Sequence, residues 1–87
     1  MPRLPVDRVF TISGFGTVVT GTLLAGKVKV GDEVQIYPKE VKARIRSIQV
    51  HDQDSVTAYG GQRVALNLAG VKKNEIVRGN VVAPLIQ

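Results

Sequence analysis

Residues 13–22 read SGFGTVVTGT, and the interval from Gly16 to Gly21 has the glycine spacing of a phosphate-cradling loop. Such a loop follows its second glycine with a lysine, which reaches the terminal phosphates, and then with a hydroxyl that holds magnesium. Thr22 and Leu23 stand in those two places, and the run continues as a β-branched strand where a helix would have to begin. A dinucleotide fingerprint starts well at Gly14-Phe15-Gly16 but meets Val19 where its third glycine belongs. Nucleotide binding by this stretch is therefore excluded. The glycines read as structural: Gly14 and Gly16 serve a hairpin turn, and Gly21 relieves a crowded strand interior. Close approach of a ligand to bare backbone is compatible with the same residues.

Other chemistry is sparse. The chain has no cysteine and a single histidine, His51, which leaves neither a thiolate nor a histidine set for a metal. No paired carboxylates stand at useful positions and no serine sits in a nucleophile motif with His51, so an independent enzyme is not expected. Positive charge is what remains. Twelve Lys and Arg against seven Asp and Glu give a formal charge of +5 on 87 residues. That excess suits a polyanionic partner such as nucleic acid, and it equally suits a solvated basic face. Lys42, Arg44 and Arg46 alternate along one stretch and form a basic strip that either is solvated or touches phosphates.

These residues must be held by strands. Short runs rich in Val, Ile, Phe and Thr recur between Gly, Asp and Pro signals, with no sustained helical period, so the fold class is all-β. Residues 6–13 and 17–24 predict two strands joined at Gly14-Phe15-Gly16. Val28 and Val30 alternate with Lys27 and Lys29, and Gly31-Asp32 turns the chain into residues 33–37, with Val34 and Ile36 on a buried face and the other face wet. Val41, Ala43 and Ile45 keep a period of two until the phase slips to Ile48 and Val50, which predicts a β-bulge near Arg46-Ser47. Gly60-Gly61 leads into residues 62–68, where Val64, Leu66 and Leu68 face one way. A polar connection over 70–79 and a last strand over 80–86 complete the chain. About six to seven strands with no covering helix close most economically into a small antiparallel barrel, a sandwich being the alternative. Residues 1–5 read as an extended lead-in and 6–87 as one barrel domain cut from a longer protein. No apolar run reaches the roughly 18 residues of a membrane span, and the N-terminus MPRLPVD lacks a signal peptide's pattern. A soluble, cytoplasmic, monomeric fragment is expected.

The string VDRVFTISGFGTVVTGTLLAGKVKVGDEVQI, continued by residues 61–70 and by Arg78-Gly79, resembles the second domain of translational GTPases of the elongation factor Tu class. The Val6-Asp7-Arg8 lead, the GTVVTGT run and Arg63 are most similar to the selenocysteine-specific members. The resemblance implies a closed antiparallel β-barrel that follows a GTPase domain and receives the aminoacylated 3′ end of tRNA on one face. It places Ile12, Gly14, Val18, Gln49 and His51 near the terminal adenosine, and Asp7, Arg8 and Arg63 at the aminoacyl pocket. It assigns no cofactor to this fragment, leaving GTP and magnesium to the GTPase domain of the parent. Selenocysteinyl-tRNA, that GTPase domain and the ribosome are the implied partners. Elongation factor Tu commonly has an acid where Gln49 stands and an apolar residue where Asn67 stands, so the adenosine pocket differs in detail. A selenol is more acidic than a thiol and is largely an anion at neutral pH, so fixed arginines would favour it over serine. Asp7 would either hold an arginine or meet the aminoacyl ammonium. The same barrel in elongation factor Tu itself or an initiation factor, serving mainly as a spacer that transmits nucleotide state, is the alternative. Taken without the resemblance, Arg8 and Arg63 are solvated strand ends and His51 a barrel-rim residue.

Overall fold

A computed structural model describes residues 1–14 and 16–85. Among them lie ten strands. β1 is Leu4–Pro5, β2 Arg8–Ile12, β3 Gly16–Thr22, β4 Lys27–Lys29 and β5 Glu33–Tyr37. β6 is Val41–Val50, β7 Gln53–Ser55, β8 Thr57–Tyr59, β9 Arg63–Ala69 and β10 Val81–Pro84, with one 3-10 turn at Lys73–Glu75. The main sheet runs β1-β10-β5-β6-β9-β3-β2, with β7 hairpinned onto β6, and its pairings are antiparallel.

The two ends of that order, β1 and β2, are consecutive in the chain, and this closes the sheet. Arg3 and Leu24 exchange backbone hydrogen bonds of 3.0 and 2.8 Å, and the Asp7 N–H donates to the Thr20 carbonyl at 2.8 Å. The N-terminal segment is thus hydrogen-bonded to β10 on one side and lies along β3 on the other, so the barrel has no long open edge. Gly21 makes the seam possible. A Cβ there would stand 2.3 Å from the Pro5 carbonyl oxygen, inside any tolerable contact. The expected lead-in accordingly belongs to the sheet, and Leu4 is 1% exposed.

The interior is filled by alternate residues of the ring: Val19, Val34, Ile36, Ile45, Ile48, Leu66 and Leu68 are each essentially buried. Each such side chain contributes about 1.5–3 kcal/mol when fully buried. A separate ribbon pairs β4 with β8 and turns Val28 and Ala58 inward. The connection after β9 adds Val71 and Ile76, and the Thr17 hydroxyl donates to the Val71 carbonyl at 2.9 Å.

The bulge falls where the periodicity slips. Ile45 pairs with Leu68 but Ser47 with Asn67, leaving Arg46 as the extra residue. Ala43 and Ile45 point inward before it and Ile48 after it, so Gln49 faces out. The strands depart from the sequence reading at three places. The polar stretch 53–59 forms β7 and β8, which carry too few apolar residues to show a period. Gln35, expected on a wet face of β5, is buried, because Glu40 folds back to accept a hydrogen bond from its Nε2 at 3.1 Å. Val30 leaves the apolar alternation at the turn after β4 and is exposed. Phe15 of the predicted turn and Ile86 of the predicted last strand lie outside the described residues.

Gly21→Ala is expected to destabilise the barrel by at least about 2 kcal/mol, because backbone must move to admit the methyl group. Thr22→Ala, one residue on and exposed, should stay within about 0.5 kcal/mol. Urea midpoints of the two variants check the seam directly.

Candidate functional site

Strand register assembles the outer face of the barrel into two cross-strand rows. Arg8 pairs with Thr20, Thr20 with Ala65, Ala65 with Gln49, and Gln49 with Asp54. One step along, Phe10 pairs with Val18, Val18 with Asn67, and Asn67 with Ser47. Two adjoining depressions open on these rows, sharing Gln49 and Ala65 as their border. The first, of about 290 Å³, is lined by Arg8, Arg63, His51, Asp52 and Thr20. The second, of about 380 Å³, has an apolar wall of Phe10, Ile12 and Val18 faced by Ser47, Asn67 and Asp54. Val18 is 5% exposed yet stands outside the interior cluster, so its burial comes from neighbours on the outer face.

The expected residues distribute unevenly over this surface. Arg8 and Arg63 share the first depression, with Gln49 and His51 beside them. Ile12, Val18 and Gln49 line the second. His51 thus sits with the arginines and away from the apolar wall. Gly14 lines neither depression and occupies the β2–β3 turn with φ +79°. Lys42 and Arg44 border a different hollow with Glu33 and Ala69, on the same outward side of β6 as Arg46.

Both arginines of the first depression are oriented. The Arg63 Nη2 donates to Asp7 Oδ2 in an ion pair, and Arg78 Nη2 lies 3.9 Å from Asp7 Oδ1. The Arg63 hydrogen bond first, and then the Arg63 charge, hold the Asp7 carboxyl below the usual aspartate value of 3.8; Arg78 and Arg8 add to that effect. Arg63 and Asp7 are half and two-fifths exposed, so water screens the pair and its role is orientation more than stability. Arg8 lies over the Phe10 ring, its guanidinium carbon 5.4 Å from the centroid. Thr20 Oγ1 beneath the first depression and Asn67 Oδ1 beneath the second are buried with no hydrogen-bond partner among the described residues.

Asp52, Asp54, Thr20 and Phe10 are site residues that reading the sequence alone passed over. Asp52 and Asp54 arrive through the β6–β7 hairpin, whose two-residue loop is His51-Asp52 with φ +52° and +65°. Loops of this kind favour Asn-Gly, so His-Asp gave no turn signal. Among the described residues no group of three metal-ligating side chains occurs, and no helix is long and apolar enough to cross a membrane.

The depressed Asp7 carboxyl fixes the sign of a pH effect. Its contribution to stability is present above the ordinary aspartate value near 3.8 and is lost as pH falls through the lower folded value. The stability gap between the parent chain and Asp7→Asn, followed by urea denaturation, should therefore close on going from neutral pH to about pH 2. A gap that widens on acidification would contradict the pairing.

The family model described as elongation factor Tu domain 2 matches residues 16–83. The selenocysteine-specific elongation factor of Desulfomicrobium baculatum is 47% identical over 81 residues, covering 93% of this chain and 13% of that protein. Its counterpart in Escherichia coli is 47% identical over 79 residues, covering 90% of this chain and 13% of that one. The crystal structure of translation elongation factor SelB from Methanococcus maripaludis superposes with a TM-score of 0.87 at 41% identity, over 93% of this chain and 18% of that one. The chain therefore spans less than a fifth of the length of these relatives. By the family match over most of its length and by its closed antiparallel barrel, the chain belongs to the elongation factor Tu domain 2 family.

Proposed function

We propose that the paired depressions receive the aminoacylated 3′ end of selenocysteinyl-tRNA, within a longer translational GTPase that acts on the ribosome in the cytoplasm. The observation that carries this reading is the convergence of Arg8 and Arg63 on one depression, beside an apolar slot. The slot takes the terminal adenosine, its ring against Phe10, Ile12 and Val18. The ester then directs the aminoacyl group across the Ala65–Gln49 border toward the arginines. Two guanidiniums already oriented by Asp7 and Phe10 lose little freedom on meeting an anionic side chain. A selenolate satisfies them at neutral pH, and a neutral serine hydroxyl does not.

Asp7 on this reading is the group that aims Arg63, and the ammonium of the aminoacyl group is left to other acceptors. Gly14 shapes the turn beside the slot without touching the ligand, and His51 closes the rim of the arginine depression. Lys42, Arg44 and Arg46 meet tRNA phosphates, which positions the partner without reading its sequence. The barrel itself performs no chemistry. GTP and magnesium belong to the GTPase domain on which the barrel docks.

A charge-assisted hydrogen bond is worth about 1.5–3 kcal/mol, or roughly ten- to a hundredfold in affinity. In the full-length factor in its triphosphate state at fixed salt, Arg63→Ala should therefore weaken selenocysteinyl-tRNA binding by roughly ten- to a hundredfold more than seryl-tRNA binding. Equal losses for the two charged tRNAs would remove the selenolate argument and leave a barrel that spaces domains.

A further inference from the structure

Of the described residues that line the arginine depression, Asp52 alone carries a carboxylate, and it stands there with Arg8 and Arg63. The β6–β7 hairpin delivers it. Val50 pairs with Gln53 across the two-residue loop, and Asp52 takes φ +65°, so it is carried to the rim on a short, fixed connection. Among the described residues it makes no ion pair, since the salt bridges nearby join Asp7 to Arg63 and to Arg78. Its charge is therefore presented to whatever enters the depression.

Charge around the depression is closely balanced. Three arginines, Arg8, Arg63 and Arg78, meet two carboxylates, Asp7 and Asp52, across the depression and the ion-pair network behind it. With His51 neutral, one positive charge is left over. A side chain with one negative charge balances it, whereas a second negative charge on the same side chain would face Asp52 with nothing to offset it. Guanidiniums alone prefer the opposite outcome, because they bind a phosphoryl group through two parallel hydrogen bonds. Size does not correct this, as a depression of about 290 Å³ has room for a phosphoryl group. Rejection of a dianion must come from charge, and Asp52 is the charge placed to supply it.

We infer that Asp52 sets the charge limit of the depression, which accepts an aminoacyl side chain carrying one negative charge and rejects a phosphorylated one carrying two. This rests on the reading that the depression receives the aminoacyl group.

The test uses the full-length factor in its triphosphate state and one tRNA charged in turn with selenocysteine, phosphoserine and serine. Unit charges about 6 Å apart in water change affinity roughly threefold, and a phosphoserine carries nearly twice the charge of a selenolate. Asp52→Asn is therefore expected to tighten binding of the selenocysteinyl form roughly threefold, of the phosphoseryl form roughly tenfold, and of the seryl form not at all. Asparagine tolerates the left-handed φ of position 52 and the residue is exposed, so the variant should fold. In the parent factor the phosphoseryl form should bind more weakly than the selenocysteinyl form, by a margin that shrinks as salt is raised, which a merely structural role of Asp52 would not produce. Equal changes for all three charged tRNAs in Asp52→Asn, a margin indifferent to salt, or tighter binding of the phosphoseryl form by the parent overturns the role of Asp52 and leaves the depression's assignment standing. Absence in the parent of any preference for the selenocysteinyl over the seryl form overturns both.

Discussion

The shift of a single residue between Ile45 and Ser47 decides which side chains of β6 face the two outer depressions. Side chains alternate strictly along a strand, so without the extra residue at Arg46 the sequence beyond it would be inverted. Gln49 would enter the interior, and Ile48 would meet water. With the bulge in place, Lys42, Arg44 and Arg46 face out before it and Ser47 and Gln49 after it, while Ile45 and Ile48 both stay inside. Gln49 can then border both depressions and meet Asp54 across the hairpin. The irregularity is thus what lets one strand serve the core and the site together, as bulges beside functional surfaces commonly do.

The same economy governs charge. An arginine half in water samples many rotamers, and ordering it on binding costs free energy. Here Asp7 accepts from Arg63, and the Phe10 ring lies beneath Arg8, so the ordering is largely done before a ligand arrives. Asp7 also tempers the positive charge that Arg63 presents. On the proposed reading this arrangement suits a ligand that is anionic at one atom over a diffuse polyanion, and it sets the first depression apart from the basic row on β6.

The core and the bulge were legible because they depend on period: apolar residues at steps of two, and one slip in phase. Arg8 and Arg63 could be paired only through the family resemblance, since 54 intervening residues separate them and register alone brings them together. Asp54 was invisible for a different reason. Its place opposite Gln49 depends on a two-residue hairpin at His51-Asp52, and both residues adopt positive φ, a geometry that local preference assigns to Asn and Gly. β1 was missed because two residues around Pro5 carry no alternation, and their strand exists through what they pair with, Val81 and Val82.

That short strand matters beyond the fold, because the seam it makes is continuous with the arginine depression. Gly79 donates to the Val6 carbonyl at 2.9 Å, Val6 to the Asn80 carbonyl at 2.8 Å, and Asp7 to the Thr20 carbonyl at 2.8 Å. The backbone of Asp7 is therefore pinned where the barrel closes, and its carboxylate reaches from that point to Arg63, with Arg78 on its other oxygen. A displacement of the segment around Arg78-Gly79 relative to β3 would carry Asp7 with it and re-aim Arg63. The orientation of the guanidinium is consequently set by closure of the barrel and not by the depression it lines. Gly21, which lets Pro5 approach β3, thus supports a site that it never touches.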